Sequence, residues 1–394
     1  MDQALFNKLS PVDRRSFLRT GFTAAGFALA ANGLPAFAQT GRKFAPLKVS
    51  RDRVIREIVG LRPYRNEGFV VEAERVGSKL LIHNYGHGGA GITLSWGTAT
   101  LAVDLLKDHP QLPALPARRN AKTPQGAQKR FAVIGCGVNG LSTARMLQRR
   151  YSDGGGNVTI YARELPPETT SNIAAGYWSP VSLFDQMAVT AKWTEQFRAA
   201  ARISNRAYQL LIGPEYGVRW LDIFTLHRNE TAIQGELPGG DDLYPNRTIY
   251  RDPANYFGFP IVRQFSSMMI EPPIYLRSLL RDFYNAGGKV VVKEFKSREE
   301  VMRLAEPVIF NCSGLGARTL FGDEKLIPAR GQLEVLLPQP EIDYAYMGPG
   351  HMFPRSDGII LGGTFDPNDW SLDINPEHSK YILDTHTEMM KGVR

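Results

Sequence analysis

The chain has 394 residues, 43% of them hydrophobic and 22% charged, which allows a full core and excludes a disordered chain. The formal net charge is +8, but Lys and Arg are scattered, with no dense run and no interleaved aromatics, so the surface reads as solvated and not as a nucleic-acid groove. The two cysteines, Cys136 and Cys312, each follow an apolar run beside glycine. They read as buried free thiols, with one disulfide left open, and their spacing suits neither a disulfide framework nor a metal.

The N-terminus carries Asp13-Arg14-Arg15-Ser16-Phe17-Leu18-Arg19, then a moderately apolar run, Gly21 to Ala31, then Ala36-Phe37-Ala38. This is the layout of a twin-arginine signal peptide over residues 1–38, with an apolar run too short to span a bilayer. An ordinary helix with two arginines is the bland alternative. The signal predicts passage through the twin-arginine export machinery, which carries folded proteins, and a periplasmic or extracellular destination. No later segment reads as membrane-spanning, so no stable membrane insertion is expected.

Residues 39–50 read as a linker. Short strands follow at Val54 to Val59, Gly68 to Ala73 and Lys79 to His83, then the glycine-dense Gly86-His87-Gly88-Gly89-Ala90-Gly91, then a helix over 92–106. Residues 107–129 hold four prolines and no periodicity, and read as a surface linker. Arg130 to Ile134 is a buried parallel-type strand, followed at once by Gly135-Cys136-Gly137-Val138-Asn139-Gly140, a helix over Leu141 to Arg150, and a second strand, Asn157 to Tyr161. GxGxxG alone is a weak signal. Set between two apolar strands with a helix behind it, it predicts a dinucleotide site: the glycines let the backbone approach a pyrophosphate, and the helix N-terminus offers free N–H groups. A structural glycine turn is the bland reading.

An acid near the ribose is expected after the second strand; Glu164 is the candidate, one position late, with Arg163 beside it for a phosphate. Both could equally be solvated loop charges. Beyond lie helices at Trp193 to Leu211 and Ile274 to Ala286, strands at Val308 to Asn311 and Ile359 to Leu361, and a final helix, Pro376 to Lys391. The fold class is α/β (α+β): a Rossmann-like dinucleotide domain with a second, mixed-sheet substrate domain, discontinuous in sequence.

Five segments together resemble the D-amino acid oxidase family. They are Val133 to Ser142 with the glycine turn, Thr169-Thr170-Ser171-Asn172-Ile173-Ala174-Ala175-Gly176-Tyr177-Trp178-Ser179-Pro180, Asn311-Cys312-Ser313-Gly314 with Arg330-Gly331-Gln332 beyond it, Gly60-Leu61-Arg62-Pro63, and Asn84-Tyr85-Gly86-His87-Gly88-Gly89-Ala90-Gly91-Ile92-Thr93 with Trp96-Gly97 behind it. They span nearly all of the chain after residue 38. The resemblance implies FAD as cofactor and oxidative deamination: a D-amino acid, O2 and water give a 2-oxo acid, ammonia and H2O2, by hydride transfer from Cα to flavin N5.

By resemblance, Arg62 pairs with the substrate carboxylate, and Gly89 offers its carbonyl to the substrate amine. A planar guanidinium fork also suits a carboxylate on physical grounds alone. Gly88, Gly91, Ile92 and Thr93 wrap the pyrimidine end of the flavin. Gly135, Gly137, Val138, Gly140, Arg163, Glu164, Thr169, Thr170, Ser171, Gly176, Trp178 and Ser313 complete the cofactor set. His87 reads as a structural histidine holding its loop rather than a ligand or an acid. Where vertebrate-type members carry a second carboxylate-binding tyrosine, this chain has His351; a histidine can donate the same bond, and Tyr344 or Tyr346 just upstream could serve instead.

The segment order departs from the family's. Gly60 to Pro63 and Asn84 to Thr93 come last in the usual member and first here, which looks like a circular permutation with residues 107–129 as the new join. The domains then divide as a signal at 1–38, a linker at 39–50, substrate domain at 51–83, FAD domain at 84–106, a linker at 107–129, FAD domain at 130–185, mainly substrate domain at 186–300, FAD domain at 301–320, and substrate domain with the terminal helix at 321–394. Three rival readings stay open: a dehydrogenase passing electrons to a quinone or other carrier, a flavin-binding protein without oxidase activity, and an NAD-dependent enzyme on the same glycine turn. A homodimer is left open as well.

Overall fold

The structure, a computed structural model, describes residues 44–108, 130–151, 158–251 and 257–391. The signal segment 1–38 and nearly all of the linker 107–129 lie outside the described residues. In chain order the elements begin with β1 (Val54–Tyr64), β2 (Val70–Val76), β3 (Lys79–Tyr85) and α1 (Gly91–Asp104). Then come β4 (Phe131–Ile134), α2 (Val138–Tyr151), β5 (Val158–Ala162), α3 (Thr170–Ile173), α4 (Ala191–Gln209), β6 (Val218–His227), β7 (Thr248–Tyr250) and β8 (Ile261–Ile270). The chain continues with α5 (Pro272–Asn285), β9 (Lys289–Val292), α6 (Arg298–Met302), β10 (Val308–Asn311), α7 (Gly316–Phe321) and β11 (Ile327–Leu336). It closes with β12 (Tyr344–Met347), β13 (His351–Arg355), β14 (Gly358–Gly362), β15 (Asp366–Pro367) and α8 (Pro376–Lys391).

Two sheets organise these elements into a mixed α/β fold. The six-stranded sheet runs β2-β3-β10-β4-β5-β9; all its pairs are parallel except β2 with β3. Its central strands are buried on both faces, which is why Phe131–Ile134 and Val308–Asn311 read as continuous apolar runs. On it α1 packs against α2 and α4, and α2 against α5. The α4 helix is capped by Thr190 Oγ1, which accepts from Trp193 N, and buries Trp193, Phe197, Ala201, Ser204 and Tyr208 along one face. The second sheet has nine strands in the order β1-β11-β14-β13-β12-β6-β8-β7, with β15 pairing β11 in line with β14. It is antiparallel except between β12 and β6.

This topology moves one expected boundary. β2 and β3 belong to the six-stranded sheet, so the crossing from one sheet to the other falls between Tyr64 and Val70, not at residue 84. β3 pairs in parallel with β10, which a substrate-domain strand would not do. β9 also joins the six-stranded sheet, within a span expected to be mainly substrate domain.

The first described residues meet the last helix. Phe44 and Leu47 share one apolar cluster with Ile382 and Met389 of α8. Tyr344 Oη donates to Ala45 O at 2.8 Å, and Ser379 Oγ of α8 to Glu57 Oε1 at 2.6 Å.

Candidate active site

One cavity of about 1040 Å3 lies between the sheets, bounded by the carboxyl ends of β4, β5 and β10 on one side and by one face of the nine-stranded sheet on the other. Gly135, between β4 and α2, has φ +107°, and a Cβ there would come within 2.4 Å of Cys312 O. Only glycine fits that turn. Behind it α2 begins at Val138, whose N–H donates to Ser171 Oγ at 3.0 Å, and Gly137, Thr169, Thr170 and Ser171 all reach the wall. Arg163 and Glu164 line it as well, paired with each other at 2.9 Å. Ser313, Gly176, Gly88, Gly89, Gly91, Ile92 and Thr93 complete the sequence-derived residues on the wall.

The sheet face supplies the other side. β1 and β11 are paired with Gly60 opposite Gly331 and Arg62 opposite Ala329. A Cβ built on Gly331 would sit 2.3 Å from Arg62 Nη1, so the guanidinium lies in a slot that this glycine leaves open. Arg62 makes no ion pair among the described residues; its contacts are Arg330 O at 3.4 Å and the Phe365 ring, 5.9 Å from Cζ. Burial lowers its pKa and the nearby Asp366 opposes that, yet Asp366 is itself engaged by Arg330 at 3.4 Å. His351 lies in a similar slot: it faces Gly362 across β13 and β14, and a Cβ there would be 2.2 Å from its Nε2. Burial, with the charge of Arg62 and the neighbouring His386, pushes the His351 pKa down to about 3, so the ring is neutral at physiological pH.

Four residues singled out from the sequence, Tyr346, Tyr344, Trp178 and Gly140, are not on this wall. Tyr346 is fully buried on the opposite face of β12; Met347 faces the cavity instead, because side chains alternate along a strand. Its Oη donates to His386 Nδ1 at 2.6 Å, and His386 Nε2 donates to Gly362 O at 3.2 Å. Tyr344 shares that face and is bonded to Ala45. Trp178 is wholly buried, and Tyr177 beside it is the cavity residue, stacked on Phe353 at 5.0 Å. Gly140 follows directly on Asn139 of the wall but faces the turn; a Cβ there would come within 2.0 Å of Gly135 O, so it acts by keeping the turn tight.

His87 is wholly buried, accepts from Asn139 Nδ2 at Nδ1 and donates from Nε2 to Thr98 Oγ1, both at 3.0 Å. Burial pushes its pKa down to about 3. It is a neutral, satisfied histidine that ties the glycine loop to α1 and α2. Cys136 and Cys312 are free and buried, their thiols pushed up to about 12. Sequence reasoning missed the apolar floor of Leu333, Met347 and Phe353, and also Trp370 and Leu372 from the β14–α8 connection. Strict alternation through β12 and β13 was the available signal for Met347 and Phe353; nothing local marked Trp370.

A glycine turn at the carboxyl ends of parallel strands, opening on a cavity floored by a second sheet, defines a dinucleotide-binding α/β protein. The sequence profile described as "FAD dependent oxidoreductase" matches residues 13–105 and 130–394. The chain therefore belongs to the DAO family of FAD-dependent oxidoreductases. It is 30% identical over 271 residues to a D-amino acid oxidase of Dugesia ryukyuensis, covering 67% of this chain and 78% of that one. It is 32% identical over 270 residues to a D-amino-acid oxidase of Rubrobacter xylanophilus, covering 64% and 75%. It is 30% identical over 259 residues to a human D-aspartate oxidase, covering 64% and 74%. Its cofactor is FAD, and the residues fit that group: with no Cβ on Gly135 the turn packs directly against Cys312 O, Gly135, Gly137 and Ser313 face the cavity beyond the parallel strands, and the cavity runs on from them to Arg62.

Proposed function

We propose that the protein oxidises D-amino acids to imino acids, with O2 as final acceptor, so that D-amino acid, O2 and water yield 2-oxo acid, ammonia and H2O2. FAD, when bound, supplies the redox chemistry by accepting hydride from the substrate Cα. The observation that carries this reading is Arg62. A partly buried guanidinium with no carboxylate partner among the described residues is costly unless an anion completes it. A substrate carboxylate does so through two parallel bonds, which fix orientation as well as charge.

The other residues act around that anchor. The Gly89 carbonyl takes the substrate amine. His351, neutral and boxed by Gly362, donates a further hydrogen bond to the carboxylate end without adding charge. The first turn of α1, Gly91 to Thr93, presents backbone dipole to the ring system; Thr93 is held there by Ser179, whose carbonyl accepts from Thr93 Oγ1 at 3.0 Å. The relatives' names support the D-amino acid class. Mixing reduced protein with oxygen or with a quinone analogue tests the acceptor. Rapid H2O2 formation is expected; reoxidation by the quinone alone would make the protein a dehydrogenase.

Two further points of this proposal rest on sequence. The paired arginines and the small-residue site of residues 1–38 support export by the twin-arginine route. The early placement of Gly60 to Pro63 and Asn84 to Thr93 supports a circular permutation, as does the packing of Phe44 and Leu47 in one cluster with α8.

A further inference from the structure

The connection between β14 and α8 carries Phe365, Trp370 and Leu372, three large apolar side chains that are 44%, 54% and 63% exposed. Trp370 and Leu372 line the cavity, and Phe365 lies beside Arg62 and edge-on to Tyr64 at 5.7 Å. These are not the side chains of a loose loop. The fully buried Arg330 donates from Nε to Ser371 O at 3.2 Å and from Nη2 to Asp373 O at 2.5 Å, and it pairs with Asp366. Next along the same face of β11, Gln332 Oε1 accepts from Asn375 N at 2.9 Å, and Gln332 Nε2 donates to Asn375 O at 3.1 Å. Arg330 and Gln332 therefore clamp the connection from one face of β11, while Gly331 between them leaves the other face open to Arg62.

Charge around Arg62 is equally specific. The other cations on the cavity wall, Arg163, Lys293 and Lys296, follow β5 and β9 of the other sheet. Arg163 is paired with Glu164 and Glu294, and Lys296 with Glu294. Arg263 acts electrostatically on Tyr177 but does not line the cavity. The floor near Arg62 is Leu333, Met347 and Phe353 with the neutral His351. Arg62 thus answers one carboxylate, and a second would be desolvated without a partner.

Resting on the D-amino acid reading above, we propose that Trp370 and Leu372 form an apolar collar that receives the substrate side chain, so that the enzyme takes D-amino acids with apolar or aromatic side chains and discriminates against acidic ones. Arg330 is the positioning residue that holds the collar. An apolar side chain entering it covers indole and leucine surface that otherwise faces water. An acidic one must shed water against the same surface and gains no cation.

The test is anaerobic rapid mixing of the FAD-loaded protein with an excess of D-alanine, D-leucine, D-phenylalanine or D-aspartate, reading the concentration at which the rate of flavin bleaching is half-maximal. D-leucine and D-phenylalanine are expected to half-saturate at least about tenfold below D-aspartate. Trp370→Ala and Leu372→Ala, both at exposed positions, are expected to raise the D-phenylalanine value at least about threefold more than the D-alanine value. D-aspartate bleaching as readily as D-leucine would overturn the proposal, as would variants that shift D-alanine and D-phenylalanine equally; either result leaves the D-amino acid activity standing. Bleaching by no amino acid at all would remove the activity itself, and the collar with it.

Discussion

Arg62 and Gly331 work as a pair across β1 and β11, the arginine providing charge and the glycine its place. Arg62→Ala is expected to lower kcat/KM by about 3–5 kcal/mol, because the substrate carboxylate is left buried without its partner. Flavin absorbance should survive, since Arg62 lies on the sheet face and not in the Gly135 turn. Normal turnover by Arg62→Ala would show that another group binds the carboxylate. Gly331→Ala places a methyl 2.3 Å from Nη1 and must push the guanidinium aside; an increase in KM of at least about tenfold is expected. At this scale the glycine turn was legible because its chemistry is local, while Arg62 was picked out by resemblance. The role of Gly331 was not legible, since it depends on a cross-strand neighbour far away in sequence.

At the scale of elements, the β4–turn–α2–β5 unit was readable almost to its ends, since each part has its own local signature. Strands β6, β8 and β11 were not, because they are long and buried and lack clean alternation. The misplacement of Tyr346 is an error of phase: one residue along β12 exchanges the cavity face for the core face. The β1–β11 pair also carries a pH dependence. Glu57 and Glu334 stand opposite each other in register, and Glu334 is wholly buried. Burial, reinforced by Glu57, raises the Glu334 pKa. The fold thus favours its protonated form, and the stability that form contributes is present below the ordinary glutamate value and lost as pH rises through the raised one. Glu334→Gln is therefore expected to stabilise the protein at pH 7 by about 1 kcal/mol, read as a higher urea midpoint, and to have little effect near pH 4. Equal effects at both pH values would contradict this.

For the whole molecule, the early place of Gly60 to Pro63 and Asn84 to Thr93 supports the proposed permutation, and the packing of the described ends is compatible with it. The described chain begins and ends in one apolar cluster, so joining its ends demands little. A chain rebuilt to begin at Arg130, with residues 44–106 joined behind Lys391 through a short linker, is expected to fold, bind FAD and keep its melting temperature within about 5 °C. An insoluble product that takes up no flavin would contradict the permutation. What the sequence did not show at this scale is the clamp of Arg330 and Gln332 on the β14–α8 connection, because it joins segments some forty residues apart through buried polar side chains.

The most direct measurement mixes the FAD-loaded protein anaerobically with paired D- and L-amino acids and follows the flavin absorbance. Bleaching by D-isomers alone is expected, with recovery and H2O2 on admitting air. Bleaching by L-isomers, or by neither, would contradict the assignment of Arg62 and its cavity to D-amino acid oxidation.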